Sequence, residues 1–553
     1  MIGFLKNNLI ILIIILILFS YLGIKALDEN GWDGWGFGSA QVLMSSQYWA
    51  KDGLAKNYFL FIPRPYSKLI HYLDEPEFRN RPIDTSNGEL ARDRRLYYTH
   101  YPPLFLVPFA ILAKIGITDR SVFRILALII SLCGLGFFYW FIKLISNKTI
   151  AVIATLYYGF SVTFLNYADS SANQPFTIFF TFLILLLSIQ AWQSFNIPEK
   201  YKKYNLYIWL AYLALSLSSY DATFYIFAYL VLFDVFILKK FLWKKWLIFA
   251  SAPVLGFTLQ VIQNTWYLGW QNMANDFYRY YTERAIGNAK NFIIGITAPF
   301  ISMTGIKTFY FFKKTVVALG SAGLSIWILW ILRKKIDLNP IFFRMLIILA
   351  FAAIAQPFFL NVTGWWPYQG VLTAVFWGLL IGTSSTLVLE IFKQKKLLEL
   401  KEKFLFGLLI LTAAALWTYQ FSNTWRYVKS WPNNKPDQKV IEFSKKIQSI
   451  QPGKEKIAFR IYPKNPIWKS QFPTFNMEYY IGMLTINFAN TKDLLTDFEW
   501  LRNRSKYPFY SFVISENKSD VEKIRQELTA KNLKNISPIM NIQDQYLFTI
   551  GPK

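Results

Sequence analysis

The chain has 553 residues, 54% hydrophobic and 19% aromatic, with 59 basic against 33 acidic side chains and a formal charge of +26. Repeated apolar runs long enough to cross a bilayer exclude an ordinary soluble domain. The Lys and Arg clusters sit mostly in gaps between those runs, which argues against a nucleic-acid partner, and the single cysteine, Cys133, excludes an internal disulfide or a cysteine metal site.

The first run, Asn8 to Leu27, carries one charge, Lys25, and lacks a small-residue cleavage site, so it reads as a retained anchor. It ends on Asp28-Glu29-Asn30-Gly31-Trp32-Asp33-Gly34-Trp35. With the N-terminus cytoplasmic, the basic gaps give a consistent topology of about eleven spans. Residues 28–120 form a first outside loop, in which Ser39 to Leu54 is expected to lie on the membrane surface. Pro102 to Ile115 is apolar but too short to span, and reads as an interfacial or re-entrant helix.

The second span, about Ser121 to Ile142, returns to Lys143 and Lys148. The third, from Ile150, leads out to Tyr167-Ala168-Asp169, and the fourth, Gln174 to Gln193, returns to Lys200, Lys202 and Lys203. The fifth emerges at Tyr220-Asp221, and the sixth returns to Lys239, Lys240, Lys244 and Lys245. The seventh opens a second long outside loop, 264–307. The eighth returns to Arg333-Lys334-Lys335, the ninth exits at Asn361 to Gln369, and the tenth ends at Lys393, Lys395 and Lys396. The eleventh, Phe404 to about Phe421, exits and closes a membrane domain of residues 1–421.

Residues 422–553 have the composition of a small extracytoplasmic α/β domain. Helices are expected at Gln438 to Ile450, Asp493 to Arg502 and Asp520 to Lys531. Strands are expected at Lys456 to Tyr462, Phe509 to Ser515 and Gln545 to Ile550.

On this map the acids near the outer membrane level are Asp28, Glu29, Asp33, Asp169 and Asp221, at the exits of the first, third and fifth spans. Acids at a membrane boundary usually face a cavity or a partner. The plainer readings are that Asp28 and Glu29 stop a helix, and that Asp169 and Asp221 cap the helices that follow them. There is no Walker-type glycine loop, HExxH or GxSxG, so cytosolic nucleotide chemistry has no visible seat.

A carboxylate there could act as base on an acceptor hydroxyl, and a lipid phosphate leaving group would need cations. The loops offer Arg64, Arg94, Arg95, Arg279, Arg284 and His100 for that phosphate, though the arginines also suit a headgroup-facing surface and His100 a structural role. Trp365, Trp366 and Tyr368 read either as an interfacial aromatic belt or as a sugar-stacking surface. A divalent metal, if one takes part, would be held by carboxylates and His.

These residues together resemble the type-C glycosyltransferase fold of the protein O-mannosyltransferases and lipid A aminoarabinose transferases, over about residues 1–420. Asp28-Glu29 matches the family's acidic pair after the first helix, whose aspartate is the base. Thr99-His100-Tyr101-Pro102-Pro103-Leu104 resembles the Pro-Pro-Leu motif that ends the first loop. Tyr167-Ala168-Asp169 falls where the family has its second acid, and Tyr220-Asp221 resembles the Thr-Asp-Trp of one bacterial variant. The aminoarabinose transferases carry Glu-Lys before Pro-Pro-Leu, so His100-Tyr101 argues against that sugar, and Asp33 remains a rival base.

The resemblance implies an inverting glycosyltransferase that uses a polyprenyl-phosphate sugar on the extracytoplasmic face. Its acceptor would be a glycan, lipid or protein. Asp28 and Glu29 would be catalytic, and Asp169 and Asp221 would position acceptor or metal. The Lys/Ile/Asn-rich composition fits a bacterial inner membrane. A transporter or flippase of lipid-linked glycan, which predicts mid-helix charges and internal repeats, and an inactive envelope scaffold are the alternatives.

Overall fold

The structure is a computed structural model. It describes residues 2–28, 36–62, 99, 101–285, 300, 311–333, 340–360, 367–394, 400–430, 437–450, 455–461, 483–488, 490–506, 508–531, 533 and 535–552. The chain falls into two compact units. One comprises Met1–Asp28, His100–Phe105 and Asp119–Asn433, and the other Glu29–Thr99, Leu106–Thr118 and Asn434–Lys553.

In chain order the helices begin with α1 (Ile2–Leu27), α2 (Gly36–Asp52), α3 (Val107–Lys114), α4 (Arg120–Ile145) and α5 (Lys148–Gly159). They continue with α6 (Val162–Tyr167), α7 (Gln174–Gln193), α8 (Pro198–Ser216), α9 (Thr223–Phe233), α10 (Trp243–Leu268) and α11 (Trp270–Ala285). The last before the small domain are α12 (Phe311–Leu332), α13 (Pro340–Phe359), α14 (Gly370–Gln394) and α15 (Leu400–Ser430).

Among the described residues, seven helices are long and apolar enough to cross a membrane: Asn8–Leu27, Arg120–Ile145, Gln174–Gln193, Trp243–Leu268, Ile341–Phe359, Gly370–Glu390 and Glu402–Ser430. Leu104–Lys114, Thr223–Leu238 and Leu319–Leu332 are shorter apolar helices. The protein is a polytopic helical membrane protein.

The expected third span is not one rod. It breaks at Phe160, and Ser161 caps a new helix by accepting from Phe164 N at 3.2 Å. The second span starts where Asp119 accepts from Val122 N at 3.1 Å.

Within the first unit α4 packs along α7, α5 along α14 and α9 along α13. In lipid such contacts depend on small residues that let backbones approach. A Cβ on Gly134 would lie 3.0 Å from Phe179 Cα, and one on Gly382 2.9 Å from the Ile150 carbonyl oxygen. A carbonyl oxygen cannot swing aside as a side chain can. Gly382→Ala is therefore expected to destabilise the protein by about 1–3 kcal/mol, read as a lower Tm of the purified protein.

In the second unit α2 and α3 pack together, and Lys114 Nζ donates to the Ala50 carbonyl at 3.2 Å. The small domain holds α16 (Asp437–Ser449), β1 (Lys456–Ile461), β2 (Leu484–Phe488), α17 (Thr491–Arg504), β3 (Tyr510–Ser515), α18 (Lys518–Ala530), β4 (Met540–Ile542) and β5 (Gln545–Ile550). The sheet order is β2-β1-β3-β5-β4, with β1 parallel to β2 and β3, and β5 antiparallel to β3 and β4.

Period-2 alternation gives this sheet two apolar faces. Ile457, Phe459, Leu484 and Ile486 pack with Phe498 of α17 and Ile524 of α18. Ala458, Phe512 and Leu547 pack with Val440, Phe443 and Ile447 of α16. The strands β2 and β4 are additions to the sequence reading.

Candidate functional site

Asp28 follows the last residue of α1 and is half-buried. Its backbone oxygen accepts from Arg120 Nη2 at 3.0 Å, so the first turn of α4 holds the exit of α1. One turn back on α1, Lys25 Nζ donates to Asp169 Oδ1 at 2.8 Å and to the Leu165 carbonyl at 3.0 Å. One turn on along α4, Arg124 reaches the other carboxylate oxygen, with Nε donating to Oδ2 at 3.0 Å and Nη2 bonded to the same oxygen.

All three side chains of this triad are at most 2% exposed. Tyr427 of α15 donates to the Leu165 carbonyl at 3.1 Å, with Lys25 Nζ 5.8 Å from its ring centre. Burial alone would raise the Asp169 carboxyl pKa. Lys25 and Arg124 outweigh that and hold it below the usual carboxylate value.

The turn between α6 and α7 that carries Asp169 also carries Asn173, which serves a second group. Asp221 is 2% exposed and meets neutral donors. Its Oδ2 accepts from Asn173 Nδ2 at 2.9 Å and Ser219 Oγ at 2.8 Å, and Oδ1 from the Tyr101 hydroxyl at 3.4 Å. Tyr368 is hydrogen-bonded to both Asp221 and Tyr101. Burial, reinforced by those neighbours, pushes its phenol well above the ordinary value, so it stays protonated. The Tyr167 ring meets Tyr368 edge-on at 5.9 Å.

Gln356 of α13 fixes the start of α9. It accepts from Phe224 N at 2.9 Å and donates to the Tyr220 carbonyl at 2.9 Å. Gln369, next to Tyr368, is fully buried, and neither of its amide atoms has a hydrogen-bond partner among the described residues.

Of the residues singled out in sequence, Asp28, Asp169, Asp221 and Tyr368 are described, the last two joined in one cluster. Asp169 and Asp221 are linked through one turn, and the N-cap positions of the helices that follow them are Asn173 and Ala222. Glu29, Asp33, Arg64, Arg94, Arg95, His100, Trp365 and Trp366 lie outside the described residues, as do the side chains of Arg279 and Arg284 on α11. Among the described residues no three His, Cys, Asp or Glu come together as metal ligands.

Sequence reading missed Arg120, Arg124, Asn173, Gln356 and Gln369, and noted Lys25 only as a charge and Tyr101 only as part of the motif before Pro102. The signal for Arg124 was there: an arginine inside an apolar run is expensive and needs a partner.

No protein-family model matches this sequence, and no curated protein matches it. Solved structures do. The crystal structure of ArnT from Cupriavidus metallidurans bound to undecaprenyl phosphate superposes with a TM-score of 0.57 at 10% identity, over 98% of this chain and 99% of that one. Its apo form gives 0.56 at the same identity and coverage. The apo oligosaccharyltransferase of Archaeoglobus fulgidus gives 0.52 at 13% identity, over 92% of this chain and 69% of that one. The likeness to ArnT extends through the small C-terminal domain, so the whole chain, and not its membrane part alone, has the type-C glycosyltransferase fold.

Proposed function

We propose that the protein is an inverting glycosyltransferase of a bacterial inner membrane, taking its sugar from a polyprenyl-phosphate donor on the extracytoplasmic face. The fold supports this class, and ArnT was solved with undecaprenyl phosphate bound. The observation that carries the reading is the construction around Asp28. A carboxylate stands at the mouth of a membrane helix whose last turn is held by Arg120 and, through Lys25, by a buried ion triad.

In the reaction the acceptor hydroxyl gives its proton to the Asp28 carboxylate, and its oxygen forms the new bond to the sugar's anomeric carbon. The bond from that carbon to the phosphate oxygen breaks with its electron pair, and polyprenyl phosphate leaves. Glu29 stands beside Asp28 in sequence as the second acid of the catalytic pair, and Asp33 is the rival for the base. Cations must meet the leaving charge, and we assign His100, Arg64, Arg94, Arg95, Arg279 and Arg284 to it. Asp221, with Tyr101 and Tyr368, suits sugar or acceptor hydroxyls, because a carboxylate has about four acceptor sites for such donors. Trp365 and Trp366 would stack on the sugar, and Asp169 acts on the acceptor side through the turn it shares with Asn173.

The test is release of polyprenyl phosphate from a panel of undecaprenyl-phosphate hexoses and pentoses by purified protein in liposomes, with glycan, lipid and peptide acceptors. Consumption of one donor with transfer to an acceptor supports the reading. Movement of the donor across the bilayer without cleavage overturns it in favour of a flippase.

Gln369 adds a discriminating variant. Replacing an unbonded buried amide by an apolar side chain removes a desolvation penalty of about 1–3 kcal/mol. Gln369→Leu is expected to raise Tm while lowering kcat/KM, the pattern of a polar group kept for substrate. A raised Tm with unchanged turnover would remove Gln369 from the site.

A further inference from the structure

We infer that Lys25, Arg124 and Asp169 are positioning residues that set the height and rotation of the α1 exit, and with it the Asp28 carboxylate. The inference rests on the reading of Asp28 as base. Lys25 and Asp28 are three residues apart, one turn of α1, and Arg120 and Arg124 are four apart, one turn of α4. The two helices therefore meet at two heights. At the upper one Arg120 holds the Asp28 carbonyl, and at the lower one Lys25 and Arg124 grip the two oxygens of a single carboxylate.

The third party is the α6–α7 turn. It is fixed in turn by Ser131 of α4, which donates to the Ala168 carbonyl at 2.8 Å, and by Tyr427 of α15 at the Leu165 carbonyl.

Helix adhesion alone does not explain this arrangement. A buried ion triad adds little net stability over apolar side chains of similar volume, because desolvation of the charges offsets their attraction. What it adds is direction. Apolar packing lets α1 slide or turn by a fraction of a residue, whereas hydrogen bonds from Lys25 to both Asp169 and Leu165 do not. A base must sit within hydrogen-bond reach of the proton it takes.

The test pairs Lys25→Met with Lys25→Arg and Asp28→Asn in full-length protein in liposomes, using the undecaprenyl-phosphate sugar that the wild type consumes. Lys25→Met leaves the bonds from Arg124 to Asp169 in place, so the fold is kept. A misplaced base is expected to lower kcat by about 10- to 100-fold, with KM for the donor unchanged and Lys25→Arg recovering most of the rate. In the Asp28→Asn background Lys25→Met should cost nothing further, since there is no base left to misplace.

Wild-type kcat in Lys25→Met beside an inactive Asp28→Asn overturns the positioning role and leaves the base reading standing. Full turnover in Asp28→Asn overturns the base reading and this inference with it. Equal losses from Lys25→Met in both backgrounds overturn positioning in favour of a general structural role.

A second measurement needs no substrate. A spin label on Asp28→Cys, with the chain's single cysteine removed as Cys133→Ala, is expected to sharpen to a mobile line when Lys25→Met is added, at a temperature well below the Tm of both proteins. An unchanged line overturns the inference.

Discussion

Asp28→Asn is expected to lower kcat by about 10²- to 10⁴-fold, the range over which a positioned general base contributes. The substitution is nearly isosteric. The bond from Arg120 goes to the Asp28 backbone oxygen, which the variant keeps, so the exit of α1 should hold its place. Donor binding depends on cations elsewhere in the proposed site, and KM for the polyprenyl-phosphate sugar should stay near the wild-type value. Loss of kcat at constant KM is the signature of an interaction made in the transition state and not in the ground state. The rivals are tested in the same assay. If Asp33→Asn or Glu29→Gln carries the loss and Asp28→Asn turns over normally, the base lies further along the segment after α1, and the clamp on Asp28 is only a helix stop.

Much of the membrane body was legible because lipid leaves few choices. Backbone groups in hydrocarbon must bond within a helix, and apolar runs of fixed length follow. The break between α5 and α6 was not legible, since Phe160 and Ser161 sit in a stretch whose composition runs on unchanged. Ser161 as a cap is visible only once the chain bends there. In the small domain the longer strands showed, whereas β2 and β4 are short. In β2 Thr485 and Asn487 interrupt the apolar run although every residue is buried. The carboxylates at the helix exits were visible as chemistry, but their partners were not. Lys25, Arg124 and Asp169 share no local motif, and Asp169 in a short turn reads equally as a helix cap. Asn173 and Tyr101, which bond Asp221, are drawn in from other segments in the same way. Pairing across such separations is decided by which helices pack, and a single sequence does not state that.

The triad makes Asp169→Asn the most damaging single substitution expected in the described part of the membrane body. With the carboxylate present, two cations share one anion in a site almost closed to water. Lys25→Met or Arg124→Met each leaves Asp169 one of these two cations. Asp169→Asn leaves both cations buried without that carboxylate, and removing a partner from a buried ion pair costs about 3–5 kcal/mol. The expected order of Tm is therefore wild type, then Lys25→Met, with Asp169→Asn lowest. Expression in the membrane should fall in the same order, because destabilised chains are cleared.

The pH dependence has a definite sign. Asp169 is held below its ordinary value of 3.8 in the folded protein. Its contribution is thus full above about pH 4 and is lost as pH falls through the lowered folded-state value. Thermal unfolding followed from pH 7 downward should show the wild type losing stability on that acid limb, and Asp169→Asn losing less, having no carboxylate there to protonate. An Asp169→Asn variant with wild-type Tm and an unchanged acid limb would mean that the three side chains are not joined as a triad.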